Sequence, residues 1–231
     1  PSEHEPVDDT SNRGHIDREE AVSFHAVQDL FTEQADSFGT DDALASLFTL
    51  WNASYQPGQD TGCNQARGQG LDCLFQRGSW RSLVTLNLPA VLSLTDDQGS
   101  SYQVVLASIG DQYAELLVNG QLTRVGLLDL SSYWDGEFLL MWRPMSVGAP
   151  DIVPGYRGAE VPALRDALGR VDGKASNSSD PELFDESLAQ RVRDFQQKHR
   201  LEPDAIVGAR TQIVLNLLSG PGSGPRLTGG Q

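Results

Sequence analysis

Between Pro89 and Pro144 the chain is cut into short apolar runs by turn chemistry, and that punctuation limits the folds open to it. The runs "PAVLSLT", "YQVVLASI", "YAELLVN", "QLTRVG" and "EFLLMWRP" carry the β-branched and aromatic residues that suit a pleated, half-buried surface. Between them lie "DDQGS", "GDQ" and the pair Asn119-Gly120, a strong two-residue hairpin signal. The series predicts an antiparallel meander, with "LLDLSSYW" as a short helix before the last strand.

The pattern on either side is helical. Upstream, Leu44, Leu47, Phe48 and Trp51 recur at i, i+3, i+4 and i+7, which makes one apolar helical face with Thr40 as its N-cap. A helix followed by a meander is an α+β arrangement. Downstream, "MSVGAPDIVPGYRG" has no periodicity and reads as a linker. Three apolar stripes follow: Val161, Leu164, Leu168 and Val171; then Leu188, Val192 and Phe195; then Thr211, Val214, Leu215 and Leu218. Three short helices share only a small core, and Phe195, Ile206 and Val207 are expected inside it. The segment "GPGSGPRLTGG" reads as low-complexity linker or disorder.

Charge excludes one class of partner. The net charge is -15, and between Pro1 and Asp42 twelve acidic residues face only Arg13 and Arg18. A nucleic-acid binder needs a basic stripe to displace counterions, so nucleic acid is not expected. The acidic stretch reads as a solvated arm. No run of apolar residues is long enough to span a membrane. The start at Pro1, without Met, reads as that of a trimmed fragment.

Cys63 and Cys73 are the chain's two cysteines, within the Gly-rich "GCNQARGQGLDCL". No cysteine or histidine cluster has metal spacing, so neither zinc nor another metal is expected. A Cys63–Cys73 disulfide would close a short loop and would persist in an oxidising, extracytoplasmic compartment.

Val161 to Leu218 resembles the three-helix peptidoglycan-binding domain of bacterial cell-wall enzymes. The resemblance rests on Val161-x-x-Leu164-x-x-x-Leu168, Phe184-Asp185-x-x-Leu188, Val192-x-x-Phe195-Gln196 and Leu201-x-x-Asp204-x-Ile206-Val207-Gly208-x-x-Thr211. It implies a shallow groove for the stem peptide of the wall polymer, with Gln196, Asp204, Gly208 and Thr211 as the candidate binding residues. The exposed amides and positive helix end around Asp204 to Thr211 would suit a peptide's carbonyls or carboxylate. Three positions depart from the family's pattern: Arg165 stands where Gln is usual, and Arg200 and Ala205 where Gly is usual.

In front of it, "GCNQARGQGLDCLFQRGSWRSLVTLNLPAVLSL" and "YWDGEFLLMWRP" resemble the periplasmic region of general secretion pathway protein A, from about Phe38 onwards. That region is similar to bacteriocin-processing, papain-like cysteine peptidases. Such a site needs a thiolate, a histidine base and a group that orients it. Cys63 lies near the expected nucleophile position, and Gln103 stands where the histidine is expected. Gln cannot accept a thiol proton near neutral pH, and a disulfide would also remove the nucleophile. Two alternatives for Cys63 therefore stand, disulfide partner or nucleophile.

The expected fold class is α+β, a cysteine-peptidase-like domain with an antiparallel sheet, followed by a small all-α three-helix module. The expected boundaries are an acidic arm at 1–37, partly disordered or helical, and a degenerate peptidase-like domain at 38–146. A linker at 147–157, the peptidoglycan-binding domain at 158–219 and a flexible tail at 220–231 complete it. The expected function is a non-catalytic, periplasmic anchoring region that binds peptidoglycan and helps assemble the type II secretion channel. No cofactor is expected in this stretch. The implied partners are peptidoglycan, an inner-membrane secretion protein, the secretin and a possible second copy of the chain. The resemblance also implies an upstream inner-membrane segment and a separate ATPase domain outside this sequence. The alternative reading is a cell-wall peptidase or amidase with an appended wall-binding module. A third is a protein-interaction scaffold without wall affinity.

Overall fold

A computed structural model describes residues 24–149, 151–175, 178–220 and 224–227. Most of the expected acidic arm, 1–23, lies outside the described residues, as does much of the expected tail. The fold is α+β. Its sheet holds β1 (Asp72–Arg77), β2 (Ala90–Thr95), β3 (Ser101–Ile109), β4 (Tyr113–Val118), β5 (Gln121–Gly126) and β6 (Trp134–Trp142). All neighbours are antiparallel, in the order β1-β6-β2-β3-β4-β5. The meander is therefore β2 to β5, and β6 returns to lie between β2 and β1. At the β4–β5 turn Val118 pairs with Gln121, while Asn119 and Gly120 take φ of 52° and 74°. Two left-handed residues in a row give the tight turn whose twist matches its strands.

Side chains alternate across a sheet, so the consecutive burial of Val104, Val105 and Leu106 means that both faces of β3 are covered. Helix α2 (Thr40–Leu50) packs across β2 and β3 and buries Ala43, Leu44, Leu47 and Phe48. Thr40 is not its cap: Gly39 holds the cap position in extended backbone, and Thr40 is the first helical residue. Before it, α1 (Val27–Glu33) buries Val27, Leu30 and Phe31. Phe31 stacks on Tyr102 at 4.0 Å and meets Tyr133 edge-on at 5.3 Å. The packed unit thus extends ahead of Phe38, because three apolar residues within an acidic stretch find an aromatic cluster on the sheet.

Three short helices complete this unit: α3 (Gly62–Arg67), α4 (Trp80–Leu86) and α5 (Leu127–Tyr133). Thr61 caps α3, and Ser79 with Ser82 forms a capping box on α4. The Cys63–Cys73 disulfide ties α3 to the start of β1, with Cα atoms 5.6 Å apart. Replacing both cysteines by serine is expected to cost about 2–3 kcal/mol, the loop-closure value for so short a ring. Urea unfolding of the double variant checks it, and thiol titration of the denatured, unreduced protein should find no free thiol.

The helical module comprises α6 (Glu160–Asp172), α7 (Glu186–Lys198) and α8 (Ala209–Ser219). Val161, Leu164, Leu168, Leu188, Val192 and Phe195 are buried as the stripes predict. The third stripe is different. Leu218 is 48% exposed, whereas Ile213 is buried and the whole run Thr211 to Leu215 is inaccessible. The cause is that α8 packs against α6 on one side and α4 of the sheet unit on another. A helix covered on two sides loses its one-sided pattern.

The connecting segments are docked as well. Asn216 Nδ2 donates to Arg143 O at 2.7 Å, and the Met145 N–H to Gln212 Oε1 at 3.0 Å. Within the stretch expected as linker, Ile152 is buried and its carbonyl accepts from Val207 N–H at 2.9 Å. The expected flexible tail needs correction at Gly224–Leu227. Leu227 is fully buried, its N–H donates to Asn87 O at 3.2 Å, and its carbonyl accepts from Ile109 N–H at 3.2 Å. Gly224 sits so close to Trp51 that a Cβ there would lie 2.3 Å from the ring. One leucine and two backbone hydrogen bonds fix a segment whose composition reads as disorder.

Candidate functional site

The two expected peptidase positions are not brought together. Cys63 is on α3, bonded to Cys73 at the sheet edge, and Gln103 is on β3. Strands β6 and β2 intervene between β1 and β3, a separation of roughly 14 Å at ordinary strand spacing. Gln103 is engaged locally: its Nε2 donates to Ser93 Oγ at 3.0 Å, and its backbone N–H to Phe38 O at 2.8 Å. The helix facing β3 is α2, and its first turn carries Thr40, Asp41 and Asp42, none of which bears a thiol. Asp41 accepts a hydrogen bond from Tyr55 Oη at 2.5 Å. That bond, with burial, pushes the Tyr55 hydroxyl up to about 12. While the disulfide stands, neither cysteine can supply a thiolate.

The second candidate is built around Gln196 on α7, which is only 1% exposed. A buried amide must satisfy its donors and acceptor internally. Its Nε2 lies 2.9 Å from Asp204 Oδ1, 2.9 Å from Ile206 O and 3.2 Å from Thr211 Oγ1. Its Oε1 accepts from the Ala205 N–H at 2.9 Å. Asp204 Oδ1 also accepts from the Ile206 N–H at 2.8 Å, and Thr211 Oγ1 donates to Ile206 O at 3.2 Å. Gln196 and Thr211 thus fasten the turn between α7 and α8 from inside. They are positioning residues that reach the surface only at their edges, and most of the accessible surface belongs to their neighbours.

That surface is a groove of about 350 Å³. Gln196, Asp204, Gly208 and Thr211 all line it, together with Leu201, Glu202, Ile206 and Arg210. Ile206, expected in the core, is 37% exposed, because its backbone is held by the Gln196 network and its side chain points outward along the groove. Gly208 caps α8. Its expected role, with the helix's positive end, as a seat for a ligand carboxylate is altered by Asp151. A Cβ on Gly208 would lie 3.1 Å from Asp151 Oδ1, so the chain's own carboxylate already faces that helix end. Leu74 on β1 borders the same groove. Neither Asp151 nor Leu74 has a local sequence signal for this role, since both reach the groove only through tertiary packing.

Two departures from the family pattern have a backbone meaning. Arg200 and Ala205 take φ of 59° and 65°, the left-handed region that favours glycine. Arg200→Gly is expected to raise stability by about 0.5–1 kcal/mol, net of glycine's greater freedom when unfolded, whereas at fully buried Ala205 the lost methyl, about 0.8 kcal/mol, offsets the gain of Ala205→Gly. Thermal unfolding of the single variants checks the sign. The third departure, Arg165, is buried and donates to Pro181 O at 3.2 Å, Leu183 O at 2.7 Å and Asp185 Oδ2 at 2.7 Å.

Comparison with known proteins matches residues 25–144 to the family described as GspA, peptidase C39-like domain, and 157–215 to the putative peptidoglycan binding domain. The first match begins ahead of Phe38 and includes α1. The chain is 33% identical over 183 residues to general secretion pathway protein A of Aeromonas hydrophila, covering 78% of this chain and 32% of that protein. It is 28% identical over 180 residues to a putative general secretion pathway protein A of Escherichia coli, covering 78% and 36%. It therefore spans about a third of the length of these curated relatives. A crystal structure of a periplasmic domain of the EpsAB fusion protein of the Vibrio vulnificus type II secretion system shares the fold. Its TM-score is 0.55 at 21% identity, covering 83% of this chain and 85% of that one.

Proposed function

Because the chain belongs to the GspA peptidase C39-like family and carries a putative peptidoglycan binding domain behind that unit, we propose that it is a periplasmic wall-anchoring region serving assembly of a type II secretion channel. The groove over the Gln196-held turn receives a peptide of the cell wall, and the sheet unit acts without catalysis. The observation that carries this reading is the groove itself, open to solvent on a turn rigidly fastened from beneath. The closed Cys63–Cys73 pair supports a non-catalytic sheet unit and an oxidising compartment. Peptidoglycan is the direct ligand in this reading. An inner-membrane secretion protein, the secretin and a second copy of the chain are the further partners of this reading.

Co-sedimentation with purified sacculi tests the proposal. Wild type should pellet with sacculi, and Ile206→Asp should weaken binding about tenfold while leaving thermal unfolding unchanged, since Ile206 presents its side chain to solvent. Wild-type protein that stays in the supernatant, or an Ile206→Asp variant that binds as wild type does, overturns it.

A further inference from the structure

We propose that the wall-binding groove is shared between the two units, with Leu74 of β1 supplying part of its apolar wall; the inference rests on the wall-binding reading above. Leu74 lies outside the stretch that resembles a peptidoglycan-binding module, yet it lines the groove with Leu201 and Ile206. Asp151 of the connecting segment lines it too, its carboxylate set against Gly208 at the start of α8. The opening therefore has module residues on one side and residues delivered by the sheet unit and connector on the other.

Leu74 is held in place by covalent and hydrogen-bonded neighbours. It pairs with Leu140 on β6, and the adjacent Cys73 is fastened to α3 by the disulfide. A side chain on a strand fixed in this way costs little further ordering when a ligand meets it. The module's own seating is equally defined. The Ile152–Val207 bridge holds the turn against the connector, and the Met145–Gln212 and Asn216–Arg143 bonds hold α8 against the end of the sheet unit. The ligand class that fits is a short peptide with a small aliphatic side chain laid against Leu74, Leu201 and Ile206.

Alternation along β1 supplies a control. Phe75, the next residue, points to the opposite face and is 64% exposed, and it does not line the groove. Sacculus co-sedimentation of the full chain should show Leu74→Glu binding about tenfold or more weakly than wild type, with Phe75→Glu unchanged. Leu74→Gln, neutral and of similar volume, should fall between wild type and Leu74→Glu, and it carries the test if the charged variant fails to fold. Wild-type affinity in folded Leu74→Gln and Leu74→Glu, alongside weakened Ile206→Asp, overturns the shared groove and leaves the wall-binding reading intact. Absence of wild-type binding overturns both. Equal losses in the Leu74 and Phe75 variants also overturn it, since they would report damage to β1 rather than contact with the ligand.

Discussion

Gln196→Ala is expected to destabilise the helical module by about 4 kcal/mol, a loss read as unfolding before it is read as reduced affinity. The substitution removes the single donor group shared by Asp204, Ile206 O and Thr211, and the acceptor for the Ala205 N–H. Ala205 is fully buried, so its N–H would have no water to turn to. Each buried polar group left without a partner costs about 1–3 kcal/mol, and the deleted side chain leaves a cavity as well. Ala205 is also left-handed, which makes the turn less able to relax without its fastening. Urea unfolding followed by far-UV circular dichroism measures the loss. A change below about 1 kcal/mol would show that Gln196 does not hold the turn.

Arg165→Met should cost about 3 kcal/mol, because it removes the buried member of an ion pair whose carboxylate is partly exposed and leaves two carbonyls without their donor. Arg165 gathers the carbonyls of Pro181 and Leu183 and the carboxylate of Asp185, so its loss releases the segment leading into α7. Asp185 is doubly engaged, since its other oxygen caps α7 by accepting from the Leu188 N–H at 2.8 Å. Burial pushes the Asp185 carboxyl up, but the Leu188 N–H, Arg165 and Ser178 together outweigh it and hold the group below 3.8. A depressed carboxylate contributes stability that is complete above the unfolded value and is lost as pH falls from there through the folded value. Wild type should therefore weaken on acidification below about pH 4, and Arg165→Met should show less of that acid dependence because part of the depression is gone. Unfolding curves at pH 7 and pH 3 for both proteins give the comparison.

The strands of the meander were legible because each is bounded by its own turn chemistry, Asn119-Gly120 above all. Strand β1 was not. Its residues "DCLFQR" lie among glycines, and what makes them a strand is pairing with β6, far along the chain. The helical stripes were readable on α6 and α7, which each bury one face, but α8 is covered by α4 as well as by its own module. At the groove, Gln196, Asp204, Gly208 and Thr211 were legible as a cluster. Their division of labour was not, because a glutamine's letter does not say whether its amide faces solvent or the inside of a turn. Ile206 was read inward by its apolarity, whereas the backbone bonds around it turn its side chain out. The peptidase-like reading put Cys63 near a nucleophile position, but α3 attaches to the edge strand β1, and α2 takes the place against β3.

The docked Gly224–Leu227 segment changes how the protein would carry a load. The module is fastened to the sheet unit on its way in, by Met145 and Arg143, and again on its way out, by Leu227. A pull on the groove is thus divided between two attachments in parallel, where a module on a single linker would pass all of it through one. Leu227 enters the sheet unit beside Ile109 at the end of β3, while the incoming chain leaves from the end of β6. Tension from a cell wall would consequently arrive at two separate strands of one sheet, and the module would resist being turned over as well as being drawn away.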